Sequence, residues 1–287
     1  MKGLVTNMAG WYLNIASNVV PGIAARHGFR LMCYPARIPL KPHHKEFLNS
    51  SEKFEFMSEG FRIQGYKWGR GQKKVLFLHG WQSHSFRWKK YIDALSKDEY
   101  TVYAMDAPGH GFSSGSFLTV PLYSSVIDQL VSSLGSIHVV VSHSLGSFSI
   151  LHSLYHNPSL PVDRLVLMAP PGEASDFIQI FKQTLKLTNK TVNNTVNYFE
   201  KVIRKPVDFY STSRFAAGLN LPGIIIHDIE DMETPYKYGE MIHNAWKGSA
   251  LITTQGLSHN LKSPEVIEMV KDFIQKDIHK ESLAHLG

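Results

Sequence analysis

The sequence predicts an α/β fold with a mostly parallel β-sheet that is covered by helices on both faces. Short, uninterrupted apolar runs recur along the chain, and such runs are typical of strands buried on both faces. Segments with apolar residues three and four positions apart separate these runs and predict helices. Strands that alternate with helices in this way form parallel sheets with right-handed crossovers. The predicted strands cover residues 75–78, 101–105, 138–141, 165–168, 224–226 and 250–253.

A β-hairpin is predicted to precede the first parallel strand. Residues 54–57 and 61–66 are rich in alternating apolar side chains, and Ser58-Glu59-Gly60 separates them. Two such runs around a short turn containing glycine are typical of a hairpin, and we expect this one at the antiparallel edge of the sheet. The last helix is predicted to begin at Pro264, with Ser263 as its N-cap. The helices predicted in this region cover 86–95, 120–134, 145–155, 236–246 and 264–278.

The N-terminal part of the chain departs from this pattern. We expect residues 1–50 to form a helical extension and a linker, and residues 51–287 to form the α/β domain. The extension carries an apolar stripe at helical spacing, which predicts a helix packed on the domain, with a weak membrane-surface contact as the alternative. A second helix is predicted over 23–32, and the prolines of 35–44 predict an extended linker. The stripe consists of Leu4, Met8, Trp11, Ile15 and Val19.

A long segment, from about residue 171 to 221, separates two strands that a short connection would ordinarily join. It has helical patterns of its own over 177–187 and 192–203. An insertion with its own helices is typical of a cap over a binding site. We therefore expect a small helical cap here, with Phe177 and Phe181 as candidate substrate-binding residues.

Composition limits the class of protein and its partners. The net charge of +6 comes from 30 Lys and Arg residues against 24 Asp and Glu residues, and the basic residues are scattered. Nucleic-acid-binding proteins more often concentrate basic residues in a stripe, so we expect no nucleic-acid partner. The single cysteine, Cys33, cannot form an internal disulfide, and no apolar stretch is long enough to span a membrane. We therefore expect a cytoplasmic protein, either a monomer or a homodimer.

The strongest motif is Ser142-His143-Ser144-Leu145-Gly146, which follows a predicted strand and precedes a predicted helix. This is the context of a G-x-S-x-G nucleophile elbow, with Ser142 in place of the first glycine. Such a turn would expose the Ser144 hydroxyl above the sheet and aim the backbone N–H of Leu145 at a developing oxyanion. Ser144 is therefore the candidate nucleophile, and the neighbouring His143 is a candidate substrate-binding residue.

Two loops after earlier strands complete this region. His79-Gly80-Trp81 follows the strand 75–78, and the backbone N–H of Trp81 is the candidate second oxyanion donor. We interpret His79 as a structural residue of this turn, because a catalytic base also needs an acid to orient it. Asp106 and the glycines at 109 and 111 are typical of a tight turn that shapes the site.

A catalytic triad also needs a base and an acid. His259 follows the last predicted strand, beside Gly256 and before the final helix, which places it at the sheet edge where Ser144 is expected. Asp231 is the preferred acid because it precedes Pro235 at the turn before a helix, and Asp228 is the alternative. Glu230 and Glu233 in the same loop remain competitors. The order Ser144, Asp231, His259 is the order of α/β-hydrolases.

Taken together, these motifs resemble the α/β-hydrolase superfamily in its single-domain bacterial serine-esterase branch. The resemblance extends over residues 54–278 and rests on the elbow, the His-Gly-Trp loop, the Asp106 loop, the Asp231 loop and the loop of His259. It implies an α/β-hydrolase fold and a Ser-His-Asp mechanism that uses neither a metal nor another cofactor. The implied substrate is a small-molecule carboxylic ester or thioester with a small to medium apolar acyl group.

Other functions of this fold are not all excluded by the motifs. Dehalogenases and epoxide hydrolases of the fold need an aspartate nucleophile, which is not compatible with Ser144. Thioesterases, lipases, carbon–carbon bond hydrolases and perhydrolases share the triad and remain open. A binding protein with an inactive triad, or a membrane-surface lipase, is the alternative outside soluble esterases.

Overall fold

A computed structural model describes residues 2–276 of the chain. Its eight-stranded sheet has the order β1-β2-β4-β3-β5-β6-β7-β8. The first two pairings are antiparallel and the other five are parallel, which confirms the predicted sheet with its antiparallel edge. The strands are β1 (Glu52–Ser58), β2 (Phe61–Trp68), β3 (Lys73–Leu78), β4 (Tyr100–Met105), β5 (Val139–His143), β6 (Leu165–Met168), β7 (Gly223–Asp228) and β8 (Ser249–Thr254).

Helices alternate with the strands as predicted, and the apolar residues of the central strands β3, β4 and β5 are buried. The last helix ends at Gln275, so residues 277 and 278 of its predicted span lie outside the described part of the chain. Short 3₁₀ turns cover Ser85–Trp88 and Val207–Phe209. The α-helices are α1 (Lys2–Val19), α2 (Pro21–Met32), α3 (Pro42–Asn49), α4 (Lys89–Ala94), α5 (Val120–Leu134), α6 (Leu145–His156), α7 (Ala174–Leu185), α8 (Asn189–Ile203), α9 (Thr212–Ala216), α10 (Lys237–Ala245) and α11 (Pro264–Gln275).

The order of the strands explains where a ligand site can form. β4 lies on one side of β3 and β5 lies on the other, so the direction of strand addition reverses between β3 and β5. In open α/β sheets, ligands bind beyond the carboxyl ends of the strands at such a reversal. The loop after β3 begins at His79 and the turn after β5 is at Ser144, so both predicted oxyanion loops lie at this position.

The chain divides into two compact units. The first contains the residues up to Tyr34 together with Gly172–Ser211, and the second contains Pro35–Pro171 and the chain from Thr212 onward. All eight strands belong to the second unit. The predicted extended linker after Tyr34 is partly wrong, because Pro42–Asn49 forms α3. Pro42 occupies the first helical position, where its missing N–H costs nothing.

The first unit is helical, with α1, α2, α7 and α8 packed on one another. Helix α1 buries a face that includes Leu13, Ala16 and Ser17. Gly10 lies on the same side, where an added Cβ would be 1.9 Å from the carbonyl oxygen of Leu185. Small residues here let α1 approach α7 closely.

The apolar stripe of α1 does not pack as predicted. The stripe is the exposed face of the helix, with Trp11 69% and Val19 73% exposed. An apolar stripe is ordinarily the buried face of a helix, but α1 packs within the first unit through its small residues instead. In the part of the chain that the structure describes, no helix is long and apolar enough to cross a membrane.

Cys33, the only cysteine of the sequence, is buried at the end of α2 and is not disulfide-bonded. Burial raises the pKa of its thiol to about 12. A thiol that stays protonated at neutral pH is a poor nucleophile, so Cys33 is unsuited to nucleophilic chemistry.

Candidate active site

Ser144 occupies a sharp turn between β5 and α6. Its backbone has φ 51° and ψ −120°, a conformation that is costly for a residue with a Cβ. Gly146 in the first turn of α6 is required sterically, because an added Cβ would lie 2.6 Å from the carbonyl oxygen of Leu78. The helix therefore begins directly against the end of β3, with Ser144 at its N-terminus.

Ser142, which replaces the usual first glycine of the elbow, is fully buried. Its hydroxyl donates to the carbonyl oxygen of Val166 on β6 at 3.1 Å and lies 3.0 Å from the hydroxyl of Ser147. Both polar contacts are inside the protein, so the buried hydroxyl of Ser142 has hydrogen-bond partners. The elbow geometry is thus compatible with serine at this position.

The loop after β3 approaches the elbow through Gly80. A Cβ on Gly80 would lie 2.9 Å from Cβ of Ser144 and 3.0 Å from the carbonyl oxygen of His143. This contact places Trp81 next to the predicted nucleophile. Within residues 2–276, the backbone N–H groups of Trp81 and Leu145 have no protein acceptor, so both are free for a ligand oxygen.

The neighbouring polar residues have structural contacts. His79 lies 2.8 Å through Nδ1 from the Gly80 carbonyl, and its Nε2 accepts the N–H of Ala107 at 3.0 Å. Burial lowers the pKa of His79 to about 3, so it stays neutral. Asp106 is fully buried and accepts hydrogen bonds from Tyr66, Phe112 and Ser85. Both residues therefore hold the turns, as predicted.

His259 is paired with Asp231. Nδ1 of His259 lies 2.8 Å from Oδ2 of Asp231. The hydroxyl of Thr234 donates to the same carboxylate oxygen at 2.8 Å, and it lies 3.0 Å from Nδ1 of His259. The other oxygen, Oδ1, accepts the backbone N–H groups of Glu233 and Thr234, each at 2.9 Å. Residues of its own loop therefore hold the Asp231 carboxylate in place independently of the imidazole.

These contacts keep Asp231 ionised. Burial by itself raises the pKa of this carboxyl, but the hydrogen bonds from His227, His259 and the backbone of Thr234 outweigh it. The resulting pKa lies well below the ordinary value of 3.8. An ionised carboxylate only accepts hydrogen bonds, so Nδ1 of His259 carries the proton and Nε2 is the atom that can act as a base.

The structure distinguishes among the competing acids. Asp228 accepts hydrogen bonds from the backbone of Glu230 and Leu257 and from the hydroxyl of Thr254, all within 3.0 Å, and is fully occupied in holding its turn. Glu233 is exposed and lies on the other side of the imidazole, with Oε2 3.9 Å from Nε2 of His259. Asp231 is therefore the carboxylate that is placed to orient His259.

Ser144 and His259 both line one cavity of about 610 Å³. Among the described residues no hydrogen bond joins the Ser144 hydroxyl to His259, although hydrogen bonds in empty active sites are often long. The lining is rich in aromatic and basic side chains, and Glu233 is the one acid among the described residues in it. It consists of His44, Trp81, Gln82, Ser83, His84, Phe86, Arg87, Lys89, Lys90, Tyr91, His143, Ser144, Glu233, His259, Asn260, Lys262, Ser263 and Ile267.

His143 also lines the cavity, but it has a second contact that the sequence did not indicate. Its Nε2 donates to the backbone carbonyl of His259 at 2.8 Å, and the two rings are 4.8 Å apart. Arg87 donates from Nη2 to the carbonyl of Asn260, also at 2.8 Å. Two successive carbonyls of the His259 loop are thus held from the elbow and from the segment after β3.

Thr234 was not predicted as a site residue, although the sequence contained a signal for it. Oδ1 of Asp231 accepts the backbone N–H groups of Glu233 and Thr234, and aspartate commonly forms such a turn with the residues that follow it. For the contacts of His143 and Arg87 with the His259 loop there was no local signal, because these partners are more than a hundred residues away. Phe177 and Phe181 lie in the first unit on α7, and their substrate-binding role stays a prediction.

Two curated proteins match parts of the chain. A soluble epoxide hydrolase from Corynebacterium sp. is 31% identical over 129 residues, 44% of this chain. The dihydrolipoyllysine-residue acetyltransferase component of an acetoin cleaving system from Cupriavidus necator is 43% identical over 56 residues, 20% of this chain. The chain spans only 41% and 15% of the lengths of these two relatives.

Solved structures match over most of the chain. Est1E from Butyrivibrio proteoclasticus, with bound ferulic acid, has a TM-score of 0.62 at 18% identity, covering 79% of this chain and 100% of that protein. The esterase RhEst1 from Rhodococcus sp. has a TM-score of 0.59 at 16% identity, covering 83% and 100%. These likenesses establish the α/β-hydrolase fold.

The family model described as serine aminopeptidase, S33, matches residues 69–233, more than half of the chain. The chain is therefore a member of the serine aminopeptidase S33 family of α/β-hydrolases.

Proposed function

We propose that this protein is a serine hydrolase that cleaves a carboxylic ester or thioester through an acyl-enzyme. The observation that carries the proposal is the arrangement of Ser144 at a strained turn, in the same cavity as a histidine whose Nδ1 is bonded to the buried Asp231. A nucleophile, a base and an orienting acid are the parts that such catalysis needs.

In the proposed reaction, Nε2 of His259 removes the proton of the Ser144 hydroxyl as the oxygen attacks the ester carbonyl. Asp231 stabilises the resulting imidazolium, and the N–H groups of Trp81 and Leu145 bind the oxyanion. Removal of one such donor typically raises the barrier by roughly 2.7–4 kcal/mol. His259 then protonates the leaving alcohol or thiol, and water releases the acid from Ser144 by the same steps.

The proposed substrate has a small to medium apolar acyl group. Trp81, Phe86, Tyr91 and Ile267 supply apolar surface to the cavity. The related epoxide hydrolase does not lead us to propose epoxide opening, because Ser144 takes the place of the aspartate nucleophile of such enzymes.

For the location of the protein we propose the cytoplasm, in view of the lone buried thiol. For the oligomeric state we keep the monomer and the homodimer as the two outcomes of a size-exclusion experiment.

The central test compares wild type, Ser144→Ala and a control, Ser159→Ala, which changes an exposed serine after α6. p-Nitrophenyl esters of increasing acyl length report activity, and an aminoacyl p-nitroanilide reports the peptide-bond cleavage that the family description names. We expect ester hydrolysis by wild type and Ser159→Ala, and a loss of about a thousandfold or more in Ser144→Ala. Wild-type activity in Ser144→Ala would end the proposal.

A fluorophosphonate probe separates an enzyme from a binding protein with the same fold. The probe reacts with an activated serine and leaves an inactive one unmodified. We expect labelling of wild type and Ser159→Ala but not of Ser144→Ala. Failure of wild type to label would favour a non-catalytic binding protein.

A further inference from the structure

Helix α1 presents a continuous apolar face away from the unit in which it is packed. Seven large side chains on this face are between 44% and 73% exposed, while Leu13, Ala16 and Ser17 on the opposite face are buried. Proteins seldom leave an apolar patch of this kind uncovered unless it binds something. This outer face of α1 consists of Leu4, Val5, Met8, Trp11, Tyr12, Ile15 and Val19.

The charge of the same unit indicates what covers the face. The residues up to Tyr34 and 172–211 contain nine Lys and Arg residues against four Asp and Glu residues, whereas the rest of the chain is nearly balanced, with 21 against 20. The first acidic residue of the chain is Glu46, so α1 and α2 have no negative charge. A positively charged unit repels a second copy of itself and is attracted to an anionic surface.

The residue types of the face fit a lipid interface. Trp11 and Tyr12 are the side chains that concentrate at the boundary between headgroups and acyl chains. Helix α1 has 18 residues and is therefore about 27 Å long. An amphipathic helix of this length with one apolar face lies in the plane of a membrane surface rather than across it.

We propose that the outer face of α1 docks this protein on the surface of an anionic bilayer. The apolar side chains enter the headgroup boundary, and the basic residues of the same unit contact the anionic headgroups. This surface is separate from the chemistry proposed for Ser144, so either proposal can fail without the other.

The test is sedimentation of the full chain with vesicles of phosphatidylcholine alone and of equal parts phosphatidylcholine and phosphatidylglycerol. We expect stronger binding to the anionic vesicles and weaker binding as salt is raised. The double variant Met8→Ser/Trp11→Ser should lose about tenfold or more of this binding. Its matched control, Met57→Ser/Met232→Ser, changes two exposed methionines of the second unit and should bind like wild type.

Three results would overturn the proposal. They are no sedimentation of wild type with anionic vesicles, undiminished sedimentation of Met8→Ser/Trp11→Ser, or a wild-type dimer that this variant converts to a monomer, because a second copy would then cover the face. Circular dichroism confirms that the variants are folded. Fluorophosphonate labelling of the same samples tests Ser144 separately.

A different observation concerns Arg87 in the lining of the active-site cavity. Its Nη2 donates to the Asn260 carbonyl and its Nη1 lies 3.5 Å from Oδ1 of the same residue, but among the described residues its buried Nε has no acceptor. Its guanidinium lies 5.5 Å from the ring centroid of Trp88. Among the described residues no carboxylate forms an ion pair with it. A poorly solvated cation without a counter-ion is costly, and an anionic ligand would remove that cost.

The surroundings of Arg87 reinforce this positive charge. Lys90 and Lys262 are exposed at the same cavity and have no ion pair among residues 2–276, while Lys89 is paired with Asp93. Glu233 is the one acid of the described lining, and its carboxylate is largely in solvent. The cavity therefore combines apolar surface with an excess of cations.

We infer that the cavity accepts esters whose acyl chain ends in an anionic group, a carboxylate or a phosphate, which Arg87 binds. This inference rests on the proposed esterase function and adds a terminal anion to the apolar acyl chain of the proposed substrate. Guanidinium groups bind such anions through two parallel hydrogen bonds.

The test uses matched ligands of equal chain length. Monoethyl adipate and ethyl hexanoate differ by a terminal carboxylate, and we expect Arg87→Gln to lower the ratio of their kcat/KM values about tenfold or more. Arg70→Gln, an arginine outside the cavity lining, should leave the ratio unchanged. An unchanged ratio in Arg87→Gln would contradict the inference.

Calorimetry keeps this test independent of catalysis. We expect adipate to bind Ser144→Ala about tenfold more tightly than it binds Ser144→Ala/Arg87→Gln, and 1-hexanol, which has no carboxylate, to show no such difference. Equal binding of adipate to both proteins would overturn the role of Arg87. Binding without any ester hydrolysis by wild type would instead count against the proposed function.

Discussion

Nε2 of His143 donates a hydrogen bond to the backbone carbonyl oxygen of His259 at 2.8 Å. The residue beside the candidate nucleophile therefore holds the backbone of the candidate base, across 116 positions of sequence. Burial and the neighbouring Arg87 lower the pKa of His143 well below the ordinary 6.5, so it is a neutral donor at physiological pH. We regard His143 as a positioning residue for His259.

If His143 positions His259, its replacement should affect turnover more than binding. We expect His143→Phe to lower kcat about tenfold or more with a small change in KM, because a misplaced base affects the chemical step. His143→Gln keeps a donor and should recover part of the activity. The control His156→Phe changes a histidine at the exposed end of α6. Equal kcat values for His143→Phe and wild type would contradict this role.

Replacement of the candidate acids should separate Asp231 from Glu233. We expect Asp231→Asn to reduce kcat by about a thousandfold or more, because the imidazole loses its orienting anion and its tautomer. Glu233→Gln should change kcat only a few fold, since this carboxylate is exposed and contacts the other nitrogen of His259 at 3.9 Å. Similar losses in both variants, measured with a p-nitrophenyl ester, would show that the assignment of the acid is wrong.

Asp231 should also make stability depend on acid pH. Its folded-state pKa is depressed, so its contribution is fully present above the unfolded value of 3.8 and is lost as pH falls below it. Between about pH 5 and pH 3 the melting temperature of wild type should therefore fall more steeply than that of Asp231→Asn. Parallel melting curves for the two proteins over this range would contradict the hydrogen-bonding account of this carboxylate.

The strained turn at Ser144 predicts a difference between two inactive variants. Ser144→Ala keeps the Cβ that makes a φ of 51° costly, whereas Ser144→Gly removes it. We expect the glycine variant to have the higher free energy of unfolding, by about 1 kcal/mol after its larger unfolded-state entropy is taken into account. Urea titration measures the difference, and a more stable alanine variant would show that this turn is not strained.

Close backbone packing predicts that Gly146 tolerates no side chain. The carbonyl oxygen of Leu78 belongs to a buried strand and cannot move away from an added Cβ 2.6 Å distant. We expect Gly146→Ala to lower the free energy of unfolding by about 1–3 kcal/mol. Gly218→Ala is a suitable control, because nothing lies within 4 Å of its added Cβ. Equal stability of the two variants in urea would contradict the packing argument.

The sequence by itself determined the strands, most of the helices and the elbow, because each depends on neighbours a few positions apart. Apolar runs specify buried strands, three-and-four spacing specifies helices, and Ser144 with Gly146 specifies a turn between β5 and α6. The candidate loops could be placed at one edge because parallel strands end together. From the sequence, the catalytic roles of the residues in these loops could be assigned only as a set of candidates.

Only the tertiary structure decided which of those candidates meet. Asp228 ends β7 and three further acids follow it with similar local patterns, and only the contacts of their carboxylates separate Asp231, which meets His259, from Asp228, which holds its own turn. The sequence also could not predict the hydrogen bond from His143 to His259, nor that the α1 stripe points outward. Periodicity shows that a helix has two faces, but which face is buried depends on the shape of the surfaces that it meets.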